Sequence, residues 1–289
     1  MLCNMEGIIM ILAVDLGNYN TKTSTGFSFS SRFTTGEFAP VGEETLEFNG
    51  TTYVMAKGSF EFTFNKAQKN YMPNLLYAIG KSTQEEEINL VLGVPLDNLG
   101  IRETFKKELL NKKFDFIING EKRHIEIKKF ATVGEGMSSF YVLSPLDKEK
   151  DLIIIDIGGR TSNVAAFINK RCEKKFTVNI GMIDLYDRIK TKLNESGNNY
   201  NVEEIERLIK SEFIDSKIVN SEKEIILDSI MNEIELKLKY NTYSLAFTGG
   251  GSIDLHDAIN KKFKSAIFIP DALFSNVKGN KIIADQKWR

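Results

Sequence analysis

Asp15-Leu16-Gly17-Asn18-Tyr19-Asn20-Thr21-Lys22 follows directly on the apolar run 9–14, and Asp156-Ile157-Gly158-Gly159-Arg160-Thr161-Ser162 follows in the same way on the apolar run 152–155. Each is a short aliphatic stretch closed by a carboxylate and a glycine-bearing turn, the pattern of a buried strand that stops at a sharp bend. Two such stretches, one in each half of the chain, predict a duplicated α/β architecture. A single doubly wound sheet would need a more regular alternation of strands and helices. A third turn, Thr248-Gly249-Gly250-Gly251-Ser252, falls between a strand expected over 244–248 and a helix expected to run on to Phe263 with Ser252 as its cap.

Outward from the first stretch, the chain through Phe33 reads as a continuing hairpin, and 27–65 as a small mixed insert. Strands are expected there over 45–48 and 52–55, joined by Asn49-Gly50, which tolerates the positive φ of a tight hairpin. Leu75, Leu76 and Ile79 recur at helical spacing behind Pro73, so a helix is expected over 72–82. A strand at 88–94, a helix at 102–112 and a hairpin of 114–118 with 124–130, again turning on Asn-Gly, complete the first half. In the second half Met182, Leu185, Tyr186, Ile189 and Leu193 mark a helix after Gly181. Asn201 with Glu204 suits the start of the next, and Ser221 with Glu224 reads as a capping box for a long helix to about 239.

The turns carry their own chemistry. In 15–22 a glycine lets the backbone approach phosphate oxygens, adjacent N–H groups can cradle them, and Lys22 adds a point charge. Asp15 suits a hydrated Mg²⁺, which keeps its waters and takes few protein ligands. The second turn repeats the order of Asp156, then glycines, then a hydroxyl residue, so two facing turns can grip one phosphate chain from opposite sides. Each alone is also an ordinary strand-to-strand bend, and Arg160 alone an ordinary solvated arginine. Three consecutive glycines at 249–251 let a flat ligand lie on bare backbone.

In this order the turns resemble the phosphate-one, phosphate-two and adenosine motifs of the actin, sugar kinase and heat-shock chaperone superfamily, over about residues 10–287. Together with Leu92-Gly93-Val94-Pro95, Val133-Gly134-Glu135-Gly136 and Asn276-Val277-Lys278-Gly279 they look most like the ParM group of plasmid-partition actins. The resemblance implies an actin-like α/β fold: two duplicated ribonuclease-H-like domains flanking a nucleotide cleft, with small outer subdomains. The implied boundaries are 9–148 for domain I with an outer part at 27–65, 149–280 for domain II with an outer part at 190–240, and 281–289 returning to domain I. It implies a Mg²⁺-dependent ATPase, ATP or GTP being the nucleotide, with Glu135, Asp156 and Asp15 as catalytic residues. Asp15 and Asp156 would hold the metal through water. Gly17, Asn18, Asn20, Thr21, Lys22, Gly158, Gly159, Arg160, Thr161, Gly249, Gly250, Gly251 and Ser252 would bind the nucleotide. Glu135 would orient the attacking water, and Asn276–Gly279 would be an inter-domain connection hinged on its glycine. The implied partners are further copies of the chain in a polar filament of one or more strands and a DNA-binding adaptor on centromere-like plasmid DNA, in a bacterial cytoplasm.

Asn163 departs from the pattern, standing where many relatives place an acidic residue, and the segments filling the outer subdomains are short. Ribose and base contacts stay open, with helices 182–195 and 221–239 as the elements to supply them. A small-molecule kinase would need a sugar-binding insert, a chaperone a substrate domain beyond Arg289, and a membrane-linked shape or division scaffold an amphipathic anchor.

The bulk numbers agree with a globular chain. The 289 residues are 42% apolar with a formal charge of -1, so no overall field draws a polyanion and direct DNA binding is not expected. Two cysteines, Cys3 and Cys172, and two histidines, His124 and His256, argue against a zinc site or disulfide framework. The apolar run near the start is preceded by Glu6 and cut short by Asp15, unlike a signal peptide. Residues 1–8 are expected to be a loose extension, with Met5 and Met10 as alternative starts.

Overall fold

The computed structural model describes residues 9–36, 41–60, 70–94 and 99–288; the expected extension at 1–8 and Pro95 lie outside them. The first half contains β1 (Met10–Leu16), β2 (Asn20–Thr23), β3 (Ser28–Ser30), β4 (Phe33–Thr35), β5 (Thr45–Phe48), β6 (Thr51–Met55), α1 (Met72–Ser82), β7 (Glu87–Val94), α2 (Leu99–Leu109), β8 (Lys113–Ile118) and β9 (Glu121–Gly134). A 3₁₀ turn at Ser138–Val142 and α3 (Pro145–Lys148) lead into β10 (Leu152–Ile157), β11 (Ser162–Ile168), β12 (Arg171–Val178), α4 (Met182–Glu195), α5 (Val202–Lys210) and α6 (Ser216–Lys237). The chain ends with β13 (Ser244–Thr248), α7 (Gly250–Asp254), α8 (His256–Lys262), β14 (Ile267–Phe268) and α9 (Ser275–Trp288).

Two sheets share one plan. In the first, β3-β2-β1 is an antiparallel trio continued by parallel β7 and β9; in the second, β12-β11-β10 is the trio and β13 and β14 the parallel pair. The expected duplication is therefore present in strand order and polarity alike. The first sheet runs on through β8, β5, β6 and β4, so the insert's strands are hydrogen-bonded onto it rather than standing apart.

Both opening strands are apolar up to their aspartates because both of their faces are covered. Leu12, Val14 and Leu16 enter the core beneath α1 and α2, while Ala13 on the opposite face packs with Val277 and Ala284 of α9. In β10, Ile153, Ile155 and Ile157 join the core under α4 and α6, and Leu152 and Ile154 pack with Phe140 and Phe167. The two Asn-Gly turns have the positive φ expected of them, 49° and 74° at 49–50 and 50° and 84° at 119–120.

Three expectations need correction. The long helix starts at Ser216, five residues before Ser221, and its cap is Asp215, whose carboxylate accepts from the Lys217 N–H at 2.8 Å. Ser252 caps nothing: it lies inside the short helix α7, its hydroxyl donates to the Gly249 carbonyl at 2.8 Å, and the helix breaks at Leu255. Asn276–Gly279 is the first part of α9 rather than a free connection. A Cβ on Gly279 would lie 2.0 Å from the Ser138 carbonyl oxygen, so this glycine serves close packing of α9 on the 3₁₀ turn.

Candidate functional site

β1 and β10 each end at a bend beside a parallel neighbour, the edge where open α/β sheets place their ligand crevices. The two bends face each other across one cleft of about 260 Å³, lined by Asp15, Gly17, Asn18, Asn20 and Lys22 from one side and Asp156, Gly158, Gly159, Arg160 and Thr161 from the other. Glu135, Gly250 and Gly251 complete this part of its wall.

The first bend is shaped by Ser31, whose hydroxyl donates to the Gly17 carbonyl at 2.6 Å and whose N–H donates to the Tyr19 carbonyl at 2.9 Å. Register pairs Asp15 with Lys22 across β1 and β2, putting both residues on one face of the sheet. The second bend closes with Gly158 N–H donating to Thr161 O at 2.9 Å, and α4 starts directly on it, with Met182 and Ile183 N–H groups bonded to the carbonyls of Gly158 and Gly159. Arg160 approaches Asp184 at 3.8 Å.

Asp156 is 8% exposed. Burial pushes its carboxyl up to about 6; Lys22 and a hydrogen bond from Asn276 Nδ2 at 2.7 Å pull it back, while Asp15 and Glu135 add like-charge repulsion. Asn276 is itself fixed, its Oδ1 accepting from the Ser139 hydroxyl at 2.7 Å. Glu135 leaves β9 with its N–H bonded to the Val94 carbonyl at 2.9 Å, and Asn163 Nδ2 donates to its Oε2 at 3.4 Å while Asn163 Oδ1 accepts from Thr177. The uncharged Asn163 thus supports Glu135 without adding a further negative charge.

Three of the expected binding residues lie off this surface. Thr21 is fully buried and bonded to Ser31, Gly249 is the positive-φ bend (83°) beneath the wall, and Ser252 faces into the protein. Met182 and Tyr186 of the helix expected to carry ribose and base contacts also line the cleft, whereas Tyr19, Glu206, Lys210, Ile253, Asp254 and Leu273 were not singled out. Glu206 and Lys210 come from α5, whereas nothing from 221–237 reaches the cleft wall. These residues form a second electrostatic group. Asp254 is exposed at the surface, yet desolvation by its surroundings raises its carboxyl, with Lys223 and Lys210 opposing and Glu206 adding to the rise. Burial, and then the Asp254 charge, raise the Tyr186 phenol.

The arrangement has two ends. Glycine backbone, Lys22 and the acidic trio of Asp15, Glu135 and Asp156 suit a polyanion with a hydrated cation, and the aromatic and polar α4–α5 end suits a flat, hydrogen-bonding group. Among the described residues no three Asp, Glu, His or Cys side chains are grouped closely enough to hold a metal ion directly.

Residues 13–137 match the family model described as the N-terminal domain of actin-like proteins. No curated protein is significantly similar in sequence. Among solved structures, the archaeal actin homolog Ta0583 in complex with ADP superposes with a TM-score of 0.79 at 20% identity, covering 96% of this chain and 100% of that one. The apo psk41 ParM protein gives 0.69 at 20% identity, covering 98% of each chain. The AlfA filament from the B. subtilis plasmid pLS32 gives 0.63 at 20% identity, covering 93% of this chain and 97% of that one.

Proposed function

Because the chain has the actin-like α/β fold over nearly its whole length and carries an actin-like N-terminal domain, we propose that it binds and hydrolyses a nucleoside triphosphate and uses that cycle to control its own polymerisation. The observation that carries this reading is the convergence of Asp15, Lys22, Glu135 and Asp156 on one cleft with both glycine bends. A neighbour of the same fold was solved with ADP, and others as filaments, which supports both halves of the reading.

On this reading ATP or GTP lies with its phosphates between the bends. Backbone N–H groups around Gly17, Asn18 and Asn20 and those around Gly158, Gly159 and Thr161 hold the oxygens, and Lys22 neutralises charge on the β-phosphate. A hydrated Mg²⁺, held through its waters by Asp15 and Asp156, would supply charge neutralisation at the phosphates. Glu135 accepts a proton from the water that attacks the γ-phosphorus as the bond to the β–γ bridging oxygen breaks, leaving the nucleoside diphosphate and phosphate. General-base help of this kind is worth about 10²- to 10⁴-fold. Gly250 and Gly251 border the nucleoside, with Tyr186, Glu206 and Lys210 beyond them. The halves 9–148 and 149–280 act as two jaws drawn together by the ligand, with 281–289 tied back to the first.

Contacts between unlike faces of successive copies make an open filament, and loss of the γ-phosphate loosens it. Plasmid segregation in a bacterial cytoplasm, through a DNA-binding adaptor, is the cellular role we assign. The formal charge of -1 agrees with an indirect link to DNA. No helix among the described residues is long and apolar enough to cross a membrane.

Sedimentation with ATP, ADP and a non-hydrolysable analogue tests the assembly. Polymer is expected with the triphosphates; absence of polymer under every nucleotide, with retained turnover on a small-molecule acceptor, would mark a kinase of the same superfamily instead. Glu135→Ala is expected to assemble with ATP but to lose about 10²-fold or more in phosphate release. Unchanged turnover in that variant would remove Glu135 from the mechanism.

A further inference from the structure

Tyr19 stands in the middle of the first bend, and nothing in phosphate binding calls for a phenol there. Its ring stacks on Phe60 with centroids 4.8 Å apart and planes at 22°, and sits 6.0 Å from Tyr186. Its hydroxyl donates to the Glu206 carboxylate on α5. Phe60 is 6% exposed, the Arg32 guanidinium lies 4.8 Å over its ring, and its backbone N–H donates to Glu203 Oε1 at 3.3 Å. Glu203 and Glu206 are three residues apart, neighbours on one face of α5. Two aromatic residues of the first half therefore grip the same face of one helix of the second. Tyr19 and Glu206 line the cleft while Phe60 and Glu203 stand behind them, so the contact forms the rim.

We propose that Tyr19 and Phe60 are an aromatic clamp, latched on Glu203 and Glu206, that closes the cleft mouth over bound nucleotide and sets the rate at which nucleotide leaves. The ligand in this statement rests on the nucleotide reading above. The Tyr19 and Phe60 hydrogen bonds to Glu206 and Glu203 are lost when the rim parts, while the Tyr19–Phe60 stack, within the first half, holds both donors in place for them; a ligand beneath escapes only from the parted state. The contribution therefore falls on dissociation more than on association. Tyr19 and Phe60 act as positioning residues in this scheme.

The test is displacement of a fluorescent ADP analogue by excess ADP, followed by stopped flow. Tyr19→Phe keeps the ring and removes only the hydroxyl; Phe60→Ala removes the stack without touching the cleft wall. Each is expected to speed release about three- to ten-fold with little change in association rate, and Phe60→Trp is expected to restore slow release. In parallel, small-angle scattering of the ligand-free chain should give a larger radius of gyration for the Tyr19→Phe/Phe60→Ala double variant than for the wild type. Wild-type release rates in both single variants, or an unchanged radius in the double variant, would overturn the clamp. Failure of the wild-type protein to bind any nucleotide would instead overturn the ligand, and the gate with it.

Discussion

Asp156 is placed against its own stability. Its carboxyl is raised from 3.8 to about 6 by burial, so the folded state holds its proton more tightly than the unfolded chain does. For a raised pKa, the stabilising contribution is fully present below the unfolded value and is lost as pH rises through about 6. At neutral pH the ionised group costs on the order of 2–3 kcal/mol, at about 1.4 kcal/mol per unit. Asp156→Asn, whose carboxamide oxygen can still accept from Asn276, should therefore raise the melting temperature of the ligand-free chain by a few degrees at pH 8. The gain should shrink as the pH falls toward 4, and the same variant should lose Mg²⁺-dependent nucleotide binding. Equal melting temperatures at pH 8 would show that the charge is better compensated than burial implies. The end of this cleft formed by the two bends was legible because its residues sit in contiguous strings, where spacing along the chain is spacing in the bend. Glu206 and Lys210 were not, since an acid and a base four apart on a helix look like an ordinary solvated pair, and such a pair is what their side chains form at 2.5 Å.

Helix boundaries show where local reading stops. α1 and β7 fall where periodicity put them, because their apolar residues alone define their buried faces. α6 begins earlier than expected because Asp215, and not Ser221, caps it. Glu222, inside the helix as expected, is nonetheless fully buried, held between Arg188 at 2.6 Å and Lys192 of α4. A carboxylate hidden by partners some thirty residues away in sequence reads as solvent-facing until the helices are packed. Asp215→Ala should cost about 1 kcal/mol by removing the true cap, whereas Ser221→Ala should be neutral or slightly stabilising in mid-helix, as read by chemical denaturation. α9 gives a sharper case. Helix propensity favours alanine over glycine at position 279 by about 1 kcal/mol. The added Cβ would meet the Ser138 carbonyl at 2.0 Å, backbone against backbone, and overpacking of that kind costs about 1–3 kcal/mol. The clash should win, and Gly279→Ala should lower the melting temperature; a rise would mean that α9 can slide on the 3₁₀ turn.

Across the whole molecule the seam between the halves is kept by small residues as much as by contacts. A Cβ on Gly159 would lie 2.3 Å from the Tyr19 Cβ, so side chains larger than hydrogen wedge the two bends apart. Gly159→Ala should weaken nucleotide affinity about five- to ten-fold, equivalent to roughly 1–1.4 kcal/mol, without unfolding either sheet. Wild-type affinity would indicate that the bends can separate there at no cost to the ligand. The duplicated α/β plan, the strands and the three bends were written in local pattern: continuous aliphatic runs need two covered faces, and aspartate-glycine turns need to end them. Which helix completes the cleft, which aromatic ring bridges it and which glycine separates bend from bend depended on how the two sheets meet. Those are contacts between residues more than a hundred positions apart, and no periodicity along a chain encodes the angle at which its halves face each other.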